Sequence, residues 1–275
     1  MKSFLKALFI LPLLASCSGD DSATVVAPEV VASCNLISLK TEALVFDDLW
    51  PTAYNEHYPD KLTFDHDDRN RISKVHGGFR GSSGLGSLTP LWSLYNDVDD
   101  VVTYNLDTIS INYSSNLQVK PYQKKFVVTD GKLTYQKSTS VNVTSGLTTT
   151  LVYTYEYNGN TVIEKRNGIL YRTFTFDNSN LIKSEQIAYN LDGSVYSRKI
   201  YEFSDYDNTE NLLKGKFFIN GCFFRAFSNN NFKKYSYTKY MTYNGAEEVV
   251  ENSNATLTFS YNENNIASIF EQSCL

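Results

Sequence analysis

One short pattern recurs along most of this chain. Two or three aromatic or β-branched residues stand at alternate positions, a turn rich in Asn, Asp and Gly follows, and an Ile, Leu or Val restarts the alternation. It occurs as Leu62-Thr63-Phe64, Asp65 to Asn70 and Ile72, and as Tyr153-Thr154-Tyr155-Glu156-Tyr157, Asn158-Gly159-Asn160 and Val162. It returns as Phe174-Thr175-Phe176, Asp177 to Asn180 and Leu181, and as Leu257-Thr258-Phe259-Ser260-Tyr261, Asn262 to Asn265 and Ile266. Period-two alternation is a strand signal, and Asn, Asp and Gly supply the positive φ that tight hairpin turns need. Further turns are expected at Asp130-Gly131, Asp192-Gly193, Asp205 to Asn208 and Asn244-Gly245. The pattern therefore predicts an all-β fold: an antiparallel meander of hairpin repeats over most of residues 100–275, forming one extended twisted or curled sheet.

Two stretches depart from it. Leu213, Phe217, Phe218 and Phe224 could share a helical face, so at most one short helix is expected near 212–227, interrupted by Gly215 and Gly221. Gly77 to Leu94, with Gly81-Ser82-Ser83-Gly84-Leu85-Gly86 and Trp92, reads as a long loop or insertion.

The first residues carry an address. Lys2 and Lys6 precede an apolar run of eight, Ala7 to Leu14, and Leu14-Ala15-Ser16-Cys17 closes it. Eight residues span roughly 12 Å as a helix, too short to cross a bilayer. Residues 1–16 thus read as a signal peptide, and its end resembles the lipobox of bacterial lipoproteins, which implies lipidation of Cys17 and a membrane partner through that N-terminal lipid. Residues 17–33 read as the lipidated cysteine and a flexible tether, and residues 34–275 as a single β-rich repeat domain. The acidic patch Ser18-Gly19-Asp20-Asp21-Ser22 resembles the surface-export signal of Bacteroidota lipoproteins, so the expected location is the outer membrane, surface-exposed or periplasm-facing.

Losing the leader removes Lys2 and Lys6 and takes the net charge from −5 to −7, which disfavours nucleic acid as a partner. The 42% hydrophobic and 20% charged content of 275 residues excludes a disordered chain and supports a sizeable core. Beyond Cys17, the thiols are Cys34, Cys222 and Cys274, enough in an oxidising compartment for one disulfide. Cys222 sits among Phe217, Phe218, Phe223 and Phe224, which suits a buried inert thiol, so Cys34–Cys274 is the favoured pair, tying the two ends of the folded body.

The hairpin unit resembles the tyrosine- and aspartate-rich (YD-like) repeats of Bacteroidota lipoproteins of unknown function, the DUF4595-like families among them. Phe174 to Lys183, as Phe-Thr-Phe-Asp-Asn-Ser-Asn-Leu-Ile-Lys, carries the likeness best. The resemblance implies an outer-membrane or surface lipoprotein with an extended sheet, and it brings no catalytic residues.

Chemistry finds little support. His57, His66 and His76 lie beside Asp60, Asp65, Asp67 and Asp68, but no pair has the spacing that puts two imidazoles on one face, so no metal and no cofactor is expected. The segment Asp65 to His76 lacks the Gly and the bidentate Glu of a calcium loop; Asp205 to Glu210 has the same Asx-rich look, which backbone hydrogen bonding explains. Ser82 and Ser83 lie in a Gly-Ser-Ser-Gly order without a nucleophile elbow. What remains is the aromatic rows, with Tyr153, Tyr155, Tyr157, Phe174 and Phe176 as a candidate binding face for a glycan or protein partner, weighed against their burial as a cross-strand core. The expectation is a non-catalytic, lipid-anchored binding or structural module. The alternatives are a glycan-binding surface lipoprotein of a nutrient-uptake system, a hydrolase with paired carboxylates, and a carrier of lipid or lipoprotein. Whether the aromatic rows are buried, line a groove or enclose a pocket separates them.

Overall fold

The structure is a computed structural model that describes residues 34–45, 61–82, 91–115, 122–142 and 145–274. The leader, Cys17 and the tether lie outside the described residues. Fifteen strands follow one another: β1 (Cys34–Lys40), β2 (Lys61–His66), β3 (Ile72–Ser82), β4 (Leu91–Asn105), β5 (Thr108–Ser115), β6 (Tyr122–Thr129), β7 (Lys132–Val141), β8 (Thr148–Asn158), β9 (Thr161–Arg166), β10 (Ile169–Asp177), β11 (Asn180–Tyr189), β12 (Val195–Tyr206), β13 (Phe232–Tyr243), β14 (Ala246–Thr256) and β15 (Phe270–Cys274). They form one all-antiparallel sheet in which β1 to β14 pair in chain order, and β15 returns to pair with β1.

The hairpin turns use the expected chemistry. Asp130 and Gly131 have φ of 51° and 72°, and Asn244 and Gly245 have 50° and 83°, the doubly positive pattern that matches strand twist. The same geometry occurs at Asn167-Gly168, which joins β9 to β10.

Two local expectations change, whereas the expectation of at most one short helix near 212–227 holds: Lys216 N–H bonds Leu213 O, Ile219 N–H bonds Lys216 O and Cys222 N–H bonds Ile219 O, a chain of turns broken by Gly215 and Gly221 at φ of 75° and 79°. Among the described residues the helical pieces are 3-10 turns, Thr41–Ala43 and Arg225–Phe227. Of Gly77 to Leu94, residues 83–90 lie outside the described residues, and the described parts, 77–82 and 91–94, are strand rather than loop, with Gly78 opposite Tyr95, Gly81 opposite Trp92 and a bulge between His76 and Gly78. Finally, Asp205 to Asn208 is no hairpin turn: β12 runs on to Tyr206, and residues 207–231 make a long excursion before β13.

The glycine at 78 has a packing cause. A Cβ there would stand 2.4 Å from Val98 Cγ1 on the neighbouring strand, and Val98 is buried. Gly78→Ala is therefore expected to destabilise by about 1–3 kcal/mol through overpacking, read as a shift of the urea midpoint at constant slope.

The excursion explains how the sheet closes on a core. Its Phe218 meets Tyr104 of β4 edge-on at 6.4 Å, Phe227 meets Phe174 of β10 at 4.7 Å, and Phe224 lies 4.9 Å from Tyr201 and 5.1 Å from Phe203 of β12. A segment that touches strands so far apart in sheet order requires the sheet to curl around it. One face of each of β5 to β12 then points at this plug: Ile111, Phe126, Leu133, Tyr155, Val162, Phe174, Leu181 and Phe203 are all buried. Ala43, Leu44 and Val45 enter from the end of β1, and Val45 N–H bonds Gly221 O at 2.8 Å.

The neck of the plug is clasped by Asp207. Its carboxylate accepts from Thr209 Oγ1 (2.8 Å), the Asn231 backbone N–H (2.9 Å) and Tyr261 Oη (3.0 Å). The Asx-rich look of Asp205 to Glu210 is thus a clasp between the entry and exit of the excursion.

Candidate functional site

The inward face changes character along each strand. One step beyond the aromatic core, the inward positions of β7 to β11 hold Gln136, Tyr155, Glu164, Arg172 and Gln186, and the register places Tyr155 opposite Glu164, Glu164 opposite Arg172 and Arg172 opposite Gln186. Alternation dictates this: Glu164 shares parity with the core residue Val162, and Arg172 with Phe174. The row is joined by polar contacts. Tyr155 Oη donates to Glu164 Oε1 at 2.8 Å and stands 3.0 Å from Gln136 Oε1. Arg172 Nη2 donates to Gln186 Oε1 at 2.7 Å, and its Nε lies 3.6 Å from Glu164 Oε2.

Glu164 and Arg172 are 3% and 2% exposed, so the pair is an interior one whose attraction offsets a desolvation cost. The Arg172 guanidinium also faces Phe174, Phe223 and Phe224 at 5.5 to 5.7 Å. Burial, reinforced by the Glu164 carboxylate, raises the Tyr155 phenol well above its ordinary value, so it stays a proton donor.

Between this row and the plug lies a cavity of about 190 Å³. Lys124, Gln136, Tyr153, Glu164, Tyr171 and Arg172 supply its polar wall, and Asn220, Gly221 and Phe223 of the excursion its floor. Tyr153 and Tyr171 face each other at 5.8 Å, and the Arg166 guanidinium sits 4.3 Å over Tyr171. On the next strands Tyr122 Oη donates to Asp100 Oδ1 at 2.5 Å, and the Lys124 ammonium lies 5.2 Å from the Tyr122 ring. Burial lowers the Lys124 ammonium and raises the Asp100 carboxyl, while each opposes the shift of the other.

Two wider cavities, of about 520 and 810 Å³, lie at the hairpin turns. The larger includes Arg71, which Asp67 already holds at 2.6 Å and which stacks 4.2 Å over Tyr104, and Lys216, whose ammonium donates to Leu212 O at 2.6 Å. The Arg71 hydrogen bonds bring the Asp67 carboxyl down to about 2.

The sequence-derived candidates fall out as follows. Tyr155 and Phe174 are 6% and 0% exposed, and the rest of that face, Tyr153, Tyr157 and Phe176, is half-buried on the same inward side. The candidate aromatic face is thus part of the core, the alternative weighed against a binding role, because the excursion covers it; Phe176 packs on Phe227, and Tyr157 Oη bonds Leu133 O at 3.0 Å. His57 lies outside the described residues, and His76 stands between Asp65 and Asp99, each at 2.8 Å on the outward face. Among the described residues no group of three or more His, Cys, Asp or Glu is placed to hold a metal ion. Cys222 is a buried free thiol whose pKa burial pushes up to about 12, chemically quiet at neutral pH. Cys34 and Cys274 stand directly opposite each other in the β1–β15 register. Sequence reading passed over Lys124, Glu164 and Arg172, although their parity with Phe126, Val162 and Phe174 was a signal: charge at a position that alternation sends inward.

The outward face is polar. Lys165 pairs with Glu156 at 2.6 Å, Lys183 with Glu185 at 2.7 Å, and Arg198 with Glu185 and Glu247 at 3.2 and 2.6 Å.

No family model matches the sequence, and no curated protein matches it. Among solved structures, a porin-like protein from Bacteroides uniformis aligns with 82% of this chain and 96% of its own, at 15% identity and a TM-score of 0.37. A superposition that loose transfers neither fold nor function.

Proposed function

We propose that this chain is a lipid-anchored, non-catalytic binding module of a bacterial outer membrane, held by Cys17 and working through the inward cavity beneath its curled sheet. The observation that carries the reading is the division of the sheet's surfaces. The aromatic rows are spent on the core, the outward face pairs its charges in water, and the polar inward row borders a partly open cavity. A lipid-facing barrel would turn an apolar band outward, whereas these strands turn Lys, Arg and Glu outward. The leader ending at Cys17 and the likeness to hairpin-repeat lipoproteins of Bacteroidota support the envelope address.

The glycan-capturing alternative needs an uncovered row of tyrosines, and Tyr155 is covered. A hydrolase needs two free carboxylates in one cleft. Here Glu164 is engaged by Tyr155 and Arg172, and Asp100 by Tyr122. We also propose that Cys34 and Cys274 form a disulfide that closes the body.

The anchor is tested by fractionation. Cys17→Ala is expected to move the protein from the membrane pellet to the soluble fraction and to abolish metabolic labelling with palmitate. A variant that still sediments with membranes overturns the lipoprotein reading.

A further inference from the structure

The cavity beside the inward polar row is balanced in charge but not in hydrogen bonds. Glu164 faces Arg172, and the Lys124 ammonium is attracted by the buried Asp100 carboxylate, which accepts the Tyr122 hydroxyl. Each cation therefore has its acid. An ion of either sign would enter this interior without a counter-charge, at the desolvation cost that a lone buried charge carries. The occupant that fits is uncharged.

Hydrogen-bonding capacity is what remains. Among the described residues three groups of the wall hold donors without acceptors: the Lys124 ammonium, whose close neighbour is the face of the Tyr122 ring at 5.2 Å; the Gln136 amide N–H groups, the Oε1 of that side chain being taken by Tyr155; and the amide of Asn220, which is exposed where the cavity meets solvent. They stand on β6, β7 and the excursion, two on the sheet and one on the plug. A flat molecule with a single carbonyl would meet one of them, whereas a ring with hydroxyls around its edge meets all three. Asn220 Oδ1 and the solvent at the opening accept the hydroxyl protons in return. Tyr153, Phe217 and Phe223 give the wall an apolar side that suits the C–H face of such a ring. An apolar cavity of about 150 Å³ holds a benzene molecule, so about 190 Å³, open on one side, takes one six-membered ring with its substituents reaching the opening.

We infer that the cavity binds one uncharged sugar ring, a pyranose, held at its hydroxyls by Lys124, Gln136 and Asn220 and at its face by Tyr153. The inference rests on the reading of this cavity as the working site and names its ligand class.

The test titrates glucose, galactose and mannose, one at a time, into the purified lipoprotein in micelles of a detergent without a sugar headgroup, with empty micelles as the blank. Their uronates, their 2-amino sugars and cyclohexanol serve as comparison compounds: the same rings with a negative or a positive charge, and a ring with a single oxygen. Saturable one-to-one binding of at least one neutral sugar is expected, about tenfold or more tighter than any of these. Gln136→Leu and Asn220→Ala should each weaken it about tenfold, the loss of one hydrogen bond to the ligand, while the circular dichroism spectrum and the melting temperature stay in place, since Tyr155 keeps Glu164 as its acceptor and Asn220 is exposed. If a charged analogue or cyclohexanol binds as tightly as the best neutral sugar and Tyr153→Ala removes it, the sugar assignment is overturned while the cavity stands as a binding site. Sugar affinity unchanged in both Gln136→Leu and Asn220→Ala overturns the placement in this cavity, and no binding of any compound at tens of millimolar overturns the cavity reading with it.

Discussion

An Arg225→Ala chain is expected to lose about 3–5 kcal/mol of stability, a large fraction of the roughly 5–15 kcal/mol that a domain of ordinary stability has. Arg225 is 1% exposed at the centre of the plug. Its Nε donates to Ala43 O at 2.6 Å and its Nη1 to Phe232 O at 3.2 Å, which ties the segment after β1 to the start of β13. The guanidinium lies 3.8 Å from the centre of the Phe232 ring. Truncation strands two buried carbonyls and opens a cavity the size of the side chain, and the two penalties add. Burial lowers the guanidinium pKa to about 10, still above neutrality, so it is protonated in both the folded and the unfolded chain. The depressed value makes the charge a cost that is constant below about pH 9 and relieved only as the pH rises through 10, so the difference between variant and parent should be flat around neutrality. Urea denaturation reads the loss, with exposed Arg69→Ala as a control expected within about 0.5 kcal/mol of the parent. A loss below about 1 kcal/mol for Arg225→Ala would show that the plug does not hold the two ends of the sheet together.

The strands were legible because their cause is local. Asp130-Gly131 and Asn244-Gly245 adopt the φ pair that makes Asx-Gly a hairpin signal, and the alternation beside them sets which residues point inward. The turn at Leu106-Asp107 was not legible, since Leu106 takes a φ of 51° with no sequence sign of it, the short link between β4 and β5 imposing the conformation. The ends of the Gly77 to Leu94 stretch misled because the glycines suggest a loop, whereas Gly78 lies in a strand and serves the close approach of Val98. The covering of the aromatic rows was out of reach for a different reason. Period two tells that Tyr155 and Phe174 share a face, but what lies on that face is Phe223, Phe224 and Phe227, tens of residues away and read as a helix. The last hairpin forms only around its turn: Asn262 N–H bonds Ile266 O and Tyr261 bridges Ala267, and the chain then crosses to β1, a pairing that carries no local signature. The candidate cavity inherits that limit, its wall being legible as charges at inward parity and its floor not.

That closing pair sets up the second large effect. β15 meets β1 through five register positions, with Cys34 opposite Cys274, Asn35 opposite Ser273 and Leu36 opposite Gln272. Residues directly opposite in an antiparallel pair have Cα atoms about 4.5–5.5 Å apart, inside the range a disulfide spans. A bond there closes a loop of about 240 residues, for which chain entropy alone suggests about 5 kcal/mol, and native disulfides deliver about 2–5. Without it, β15 is a five-residue edge strand held by Phe270 in the core and by Glu271, which accepts from Ser38 Oγ at 2.6 Å and pairs with Lys61 at 3.0 Å, both at a surface where such contacts are weak. Peptide mapping of the unreduced protein is expected to recover Cys34 linked to Cys274, with Cys222 as a free thiol. Cys34→Ser should lower stability by about 2–5 kcal/mol, dithiothreitol should lower the parent by the same amount, and the variant should not respond to the reductant. Alkylation of Cys34 in the folded, unreduced protein would refute the bond, and β15 would then be held by its pairing with β1 and its packing alone.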